Sequence, residues 1–359
     1  PRITLPLAPK VDAPKWEEII EKTEPMKESP VRPASDLATI IYTSGSTGVP
    51  KGVMHSFATM CASRGFADGL HLTKDDRMLS YLPLAHAFER TLVETMTFLV
   101  GFRVYFAQTL ETFVEDIKRA RPTMFISVPR LWQRFQTGVY SKMPPGKLNF
   151  YLKVPILAGI VRKKVLTNLG FQDVRFAGSG SAPIPASLID WYRSLGLELL
   201  EGYGMSENFS YSHMTQPGEV RVGYVGTPQE GCAHKISEAG EILVKSPSTM
   251  VGYYKEPAMS ADMLTADGFL KTGDRGEIDD KNRLRITGRV KELFKTSKGK
   301  YVAPSPIENK LLTHTDVEQA CVAGANHPQP FGMVVLSPGA RKKAADPAAK
   351  AELEASLKA

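Results

Sequence analysis

The segment Ala38-Thr39-Ile40-Ile41-Tyr42-Thr43-Ser44-Gly45-Ser46-Thr47-Gly48-Val49-Pro50-Lys51-Gly52 limits what this chain can be more than any other part of it. An apolar, β-branched run from Leu37 to Tyr42 reads as a buried strand. It feeds a turn that holds hydroxyls, two glycines and then Pro-Lys-Gly. Glycine lets the chain bend through positive φ and lets a ligand approach the backbone. Successive N–H groups in such a turn form a concave anion site. Ser44, Ser46 and Thr47 add hydroxyl donors, and Lys51 adds a point charge suited to phosphate. A Ser/Gly linker would not follow a strand and resume at once as Gly52-Val53-Met54-His55. The Walker pattern is also excluded, because it needs Ser or Thr after the lysine and here that residue is Gly52. The segment predicts a phosphate-binding loop.

The rest of the chain alternates. Strands are expected at residues 77–82, 102–106, 123–128, 174–177 and 198–200, and helices at 57–69, 87–100, 111–120, 130–140, 150–169 and 185–195. That order predicts a layered, mostly parallel α/β sheet. After residue 212 the pattern shifts to short strands at 222–225, 241–244, 269–272 and 283–287. Asp279-Asp280-Lys281-Asn282-Arg283 reads as a hairpin tip. The divisions expected are a Pro-rich connecting segment (1–35), an α/β nucleotide- and acyl-binding part (36–212), a β-rich part (213–288) and a further unit (289–359). The first of these reads as cut from something longer, and the Ala/Lys/Glu-rich tail does not read as the end of a domain.

With 359 residues, 42% hydrophobic and 23% charged, the composition is ordinary for a globular protein. A net charge of +7 is spread along the chain and suits polyanionic small molecules. No aromatic–basic interleaving argues for nucleic acid. Cys61, Cys232 and Cys321 lie far apart, with no Cys-x-x-Cys, which argues against zinc or a disulfide framework and fits a reducing cytosol. No apolar run reaches membrane-spanning length. Apolar and basic residues at 152–166, including Arg162, Lys163 and Lys164, could touch a membrane surface, although an ordinary amphipathic helix is the plainer reading of the pattern.

Four further motifs follow the loop. Leu82-Pro83-Leu84-Ala85-His86-Ala87-Phe88-Glu89-Arg90 places a histidine just past a strand end, where α/β sheets hold ligands; a helix cap is the plainer role for such a residue. Ala177-Gly178-Ser179-Gly180-Ser181-Ala182-Pro183 leaves room for a flat ligand. In Leu200-Glu201-Gly202-Tyr203-Gly204-Met205-Ser206-Glu207, the Tyr203 ring can stack on a purine and Glu207 offers Mg²⁺ a hard oxygen. Phe269-Leu270-Lys271-Thr272-Gly273-Asp274 is followed by Ile286-Thr287-Gly288-Arg289-Val290-Lys291-Glu292-Leu293-Phe294-Lys295. Asp274 can accept from both hydroxyls of a ribose, and Arg289 can donate to ribose or phosphate.

In this order the five motifs resemble the adenylate-forming superfamily of acyl-CoA ligases, peptide-synthetase adenylation domains and luciferases. Leu131-Trp132-Gln133-Arg134-Phe135, Gly252-Tyr253-Tyr254-Lys255 and Ser305-Pro306-Ile307-Glu308-Asn309 resemble bacterial long-chain fatty acyl-CoA synthetases in particular. The resemblance implies a large α/β domain, incomplete here at its N-terminus, with a β subdomain and the start of a small mobile C-terminal α+β cap. It implies ATP, Mg²⁺ and CoA, and conversion of a fatty acid to acyl-AMP and then acyl-CoA. By the same resemblance, Lys51, His86, Thr47 and Glu207 would carry the catalytic roles, with Thr47 and Glu207 on the metal. Thr43, Ser44, Gly45, Ser46, Thr47, Gly48, Lys51, Gly180, Ser181, Glu201, Gly202, Tyr203, Gly204, Ser206, Asp274, Arg289 and Lys295 are the implied nucleotide contacts. Gly288 stands at the hinge position and Lys298-Gly299-Lys300-Tyr301-Val302-Ala303-Pro304 at the pantetheine loop. Ser206 replaces the usual threonine, and no lysine in residues 339–359 matches the family's cap lysine. Two other readings stay open: an acyl-AMP ligase that loads a carrier protein, and a non-catalytic nucleotide- or acyl-binding fragment.

Overall fold

A computed structural model describes residues 3–4, 12–44, 49–312, 314 and 316–358. The chain forms two units, residues 1–36 and 37–359. The first contains helix Trp16–Lys22, with Glu17 and Glu18 in its first turn and Lys22 in its last, as the helix dipole favours. No helix was expected in this Pro-rich stretch.

The second unit is built on a seven-stranded sheet. Its spatial order is Arg103–Phe106, Arg77–Ser80, Met124–Ser127, Phe176–Ser179, Leu199–Tyr203, His213–Met214 and Thr227–Pro228. The first five strands are parallel and the last two antiparallel. Alternate side chains enter two different cores. Leu79, Phe125, Ala177 and Leu199 face a cluster with Trp132, Phe135, Phe171 and Tyr192. Met78, Met124, Ile126, Phe176 and Leu200 face another with Phe66, Leu92 and Tyr211. Burial on both faces is why these strands read as unbroken apolar runs.

Chain order reverses between strands Arg77–Ser80 and Met124–Ser127, because the chain runs outward to Arg103–Phe106 before it returns. Such a reversal opens a crevice at the carboxyl ends of the strands. Tyr81 spans it, donating to the Ser127 hydroxyl (2.8 Å) and lying within reach of the Ile126 carbonyl (3.1 Å).

Three expectations are corrected. Strand Leu37–Ser44 is not the buried strand expected. It forms an antiparallel hairpin with Pro50–Ser56, which pairs onward with Gly252–Tyr253. Among the residues of Leu37–Ser44 whose burial is described, only Ile41 is buried, while Leu37 and Tyr42 are exposed. Residues 222–225 form no strand; Val225 and Gly226 meet Leu284 through two backbone hydrogen bonds at a turn. The helix expected over 150–169 is two, Pro145–Lys153 and Pro155–Leu169, broken where Pro155 takes a first helical position and forces Val154 to be extended.

A four-stranded antiparallel sheet, Ala233–Ile236, Glu241–Lys245, Leu270–Ile278 and Leu284–Arg289, packs around Val225, Ile242, Val244 and Leu284. The tip at 279–283 forms as expected, with the Asp279 carboxylate accepting from the Lys281 and Arg283 N–H groups. Beyond it lie a short ladder, Phe294–Lys295 with Tyr301–Val302, helix Pro304–Leu311, a hairpin of Val317–Ala323 with Phe331–Leu336, and helices Pro338–Lys343 and Pro347–Lys358. Gly288 has φ +149°, which favours glycine at the expected hinge position.

Asp76 ties the amino ends of three parallel strands together. It accepts from the Thr73 N–H (2.8 Å), the Thr123 hydroxyl (2.7 Å) and both Nε and Nη2 of Arg175 (3.0 and 2.7 Å). Burial alone would raise the Asp76 pKa, but these donors outweigh it and hold the carboxyl below its ordinary value. Asp76→Ala removes this shared acceptor, while Arg175 keeps the Leu70 and His71 carbonyls. Because Arg175 can still turn to water, the loss should fall below that of a fully buried pair, about 2–3 kcal/mol by urea denaturation.

Candidate functional site

The turn at residues 204–207 is shaped by close backbone approach. A Cβ on Gly204 would lie 2.5–2.7 Å from Ser210 backbone atoms, so only glycine fits. The Asn208 side chain accepts from the Met205 N–H at 2.9 Å and closes a one-turn 3-10 helix over Ser206–Asn208. Its outer acid is Glu207. The Tyr253 hydroxyl donates to Glu207 Oε1 at 2.7 Å, and Lys51 Nζ lies 5.3 Å from the Tyr253 ring centre. Lys51 and Glu207, predicted separately, are thus joined through one tyrosine. The sequence alone assigns Tyr253, within Gly252-Tyr253-Tyr254-Lys255, no role.

A second residue left without a role is His55. It is fully buried beside Phe209, and its Nε2–H donates to the Ser206 carbonyl at 2.8 Å. Burial pulls its pKa down to about 4 against the opposing effect of that carbonyl, so the ring is neutral. The bond clamps the Lys51 hairpin onto the Ser206–Glu207 turn. A histidine inside an apolar strand was the available signal.

Asp274 and Arg289 also come together. They are register partners on adjacent strands, with Arg289 Nε 3.2 Å from Asp274 Oδ1. The Tyr203 hydroxyl donates to Asp274 Oδ2 at 2.7 Å. Burial raises the Asp274 pKa, partly offset by Tyr203 and Arg289. Each oxygen keeps a free lone pair, so the carboxylate can accept further hydrogen bonds.

Gly180, Ser181, Glu201, Gly202, Tyr203 and Gly204 line one cleft that opens to solvent. Phe66, Leu92, Ile126 and Phe176 form its apolar wall. Ser181 holds φ +66°, a strained value for a residue with a side chain. His86 sits at the start of helix Ala87–Glu89, where its Nδ1 accepts from the Phe88 N–H at 3.3 Å. The plainer cap role is therefore present, and it leaves Nε2 as the proton-bearing nitrogen. Partial desolvation lowers the His86 pKa and favours this neutral form.

Thr43 pairs with Lys51 and Ser44 with Pro50 in the hairpin. Gly45, Ser46, Thr47 and Gly48 lie outside the described residues, as does the Ser44 side chain. Lys295 lies 5.5 Å over the Tyr301 ring, in the short ladder beyond the β-rich part. Folding also brings two distant histidines together. His213 Nε2–H donates to His234 Nδ1 and His234 Nε2–H to Asn282, each at 2.8 Å. The Ser212 hydroxyl completes the chain at His213 Nδ1, also at 2.8 Å. Each ring nitrogen is therefore matched in the neutral state. Among the described residues, no group of three His, Cys, Asp or Glu converges as a metal cage.

Glu201 differs from the other two acids. It is buried on strand Leu199–Tyr203, its Oε1 has no partner, and burial pushes its pKa up to about 8. The folded chain keeps a proton that the unfolded chain releases above the ordinary value of 4.5. The associated stability is fully present below that value and is lost as pH rises toward 8. Glu201→Gln should remove this slope, and its advantage over the parent should reach on the order of 3–5 kcal/mol at pH 8. Denaturant titrations of both proteins across this range are the check; parallel curves would overturn the assignment.

The profile of the AMP-binding enzyme family matches residues 3–254. Long-chain-fatty-acid–CoA ligase 1 of Homo sapiens is 33% identical over 348 residues, covering 87% of this chain and 49% of that protein. Long chain acyl-CoA synthetase 7, peroxisomal, of Arabidopsis thaliana is 34% identical over 331 residues, covering 82% and 47%. A crystal structure of an ATP-bound RpMatB–BxBclM chimera superposes with a TM-score of 0.70 at 29% identity, covering 86% of this chain and 59% of that one. The chain spans about half the length of the curated relatives it matches. Family profile and relatives agree with the ordered motifs and the sheet that carries them: this chain belongs to the AMP-binding enzyme family.

Proposed function

We propose that this chain carries the nucleotide and acyl sites of an AMP-forming ligase that activates a long-chain fatty acid with ATP and transfers it to CoA. The observation that supports this most is the Lys51–Tyr253–Glu207 cluster, in which a lysine and a carboxylate share one tyrosine, as a phosphate cation and a metal acid of one site would. The long-chain names of relatives in two organisms support the substrate class.

In this reading the substrate carboxylate attacks the α-phosphorus, pyrophosphate leaves, and the CoA thiol then displaces AMP. The chain's residues position and neutralise rather than bond covalently. Thr43, Ser44 and the loop through Gly48, with Lys51, hold the departing pyrophosphate. Neutral His86 offers its Nε2–H to the attacking carboxylate, and the Ser206 hydroxyl and Lys295 serve the α-phosphate. Asp274 accepts from the ribose hydroxyls while Arg289 donates nearby. Tyr203 and the small residues Gly180, Ser181, Gly202 and Gly204, with Glu201, wall the purine and acyl groups. Glu207 fits Mg²⁺, because one oxygen is held by Tyr253 and the other stays free, and Mg²⁺ takes few protein ligands when phosphates supply the rest. Thr47 is its second proposed ligand, and the bound ion would offset phosphate charge. The free thiols Cys61, Cys232 and Cys321 suit a reducing cytoplasm, and a peripheral site at a membrane's inner face would place the enzyme beside its substrate.

Glu207→Gln should lower fatty-acid-dependent pyrophosphate release by about a hundredfold or more, and omission of CoA should stop thioester formation. An unchanged rate would remove Glu207 from the metal.

Asp274→Ala should weaken ATP binding by about 1.5–3 kcal/mol. It should barely affect 2′,3′-dideoxy-ATP, which lacks both hydroxyls. Equal weakening of the two nucleotides, measured by calorimetry, would show that Asp274 does not act on the ribose.

A further inference from the structure

Helices Pro145–Lys153 and Pro155–Leu169 pack on each other and bury Leu148, Ala158, Val165 and Leu169. Their outer faces are not the polar surface this leaves room for. Phe150 is 63% exposed, Ile156 82%, Leu157 38% and Ile160 61%. Helical spacing puts Ile156, Ile160, Lys163 and Thr167 on one face and Lys147, Phe150 and Lys153 on one face of the preceding helix. Arg162 anchors the longer helix by donating from Nε to the Ser194 carbonyl at 2.8 Å.

Charge decides what such a surface fits. Residues 142–172 contain Lys142, Lys147, Lys153, Arg162, Lys163 and Lys164, all exposed, and no aspartate or glutamate. A one-sign basic field around protruding isoleucines and a phenylalanine repels a second copy of itself. It complements an anionic interface, where apolar side chains enter the acyl boundary and lysines meet headgroups. Among the described residues no helix is long and apolar enough to cross a membrane, so the contact is lateral.

We propose that the outer face of these two helices docks the protein on an anionic lipid bilayer. The docking itself does not depend on the chemistry proposed above. Only its use, taking a fatty acid from the bilayer in which it partitions, rests on that reading.

The test is co-sedimentation of the protein, without ATP or CoA, with vesicles of phosphatidylcholine alone and of phosphatidylcholine mixed with phosphatidylglycerol. Binding is expected to the mixed vesicles and to weaken with added salt. Ile156→Ser with Ile160→Ser should lower affinity by about a hundredfold. Lys163→Gln with Lys164→Gln should lower it by about twenty-five-fold, near fivefold per charge. These side chains are exposed, so thermal melts should match the parent. Hydrogen exchange on the parent protein is an independent reading, with protection by mixed vesicles expected over residues 145–169. Absence of binding, equal binding to both vesicle types, wild-type binding by the isoleucine variant, or protection elsewhere would overturn the proposal. So would a drop in oligomer mass on changing the isoleucines, which would assign the face to a second copy. Loss of catalysis with intact vesicle binding would count against the ligase reading alone.

Discussion

The site depends on one buried hydrogen bond, from His55 Nε2–H to the Ser206 carbonyl. His55 belongs to the hairpin that carries Lys51, and Ser206 to the turn at the end of the parallel sheet. Nothing in local sequence brings these two together. Around the bond, the Met250 N–H donates to the Glu207 carbonyl, Val251 to Met54 and Tyr254 to Gly52, so three distant segments share one set of backbone bonds. A charged imidazole would be costly there, since the ring has no exposure to water. Burial therefore keeps His55 neutral, and the stability of the folded state declines as pH falls from the ordinary histidine value of 6.5 toward about 4.

Much of the large sheet was legible because burial on both faces leaves a signal that needs no partner to interpret. Met124-Phe125-Ile126 is apolar at each position because successive side chains enter separate cores. The motif order was legible for a related reason, as glycines and acids at strand ends follow from a topology that opens its crevice there. Strand Leu37–Ser44 misled because β-branched residues suit an antiparallel hairpin with one exposed side as well as a buried strand. Pro155 was readable as a helix break but lay within an apolar run that suggested continuity. Residues 222–225 have strand composition, yet the turn there carries only two backbone bonds to Leu284.

At the site, residue types were readable and their couplings were not. Asp274 and Arg289 are fifteen positions apart and meet because a hairpin places them in register. Tyr253 meets Glu207, and His213 meets His234, only through pairing between strands that no local periodicity specifies. His86 was legible in both of its roles, since the cap uses one ring nitrogen and leaves the other free.

Three carboxyl groups near one strand end show why the couplings matter more than the residue types. Glu207 accepts from Tyr253 with Lys51 close to that ring. Asp274 is stabilised as an anion by Tyr203 and Arg289 against the cost of burial. Glu201 has no partner at Oε1 and is held neutral to about pH 8. Three anions here would repel a polyphosphate, whereas one neutral acid and two partnered ones reduce that field and keep acceptors where the proposed reading needs them. Tyrosine suits both partnered sites, because a phenol donates to a carboxylate without adding charge. A lysine in place of Tyr203 or Tyr253 would neutralise its acid outright and remove the acceptor strength that metal or ribose requires.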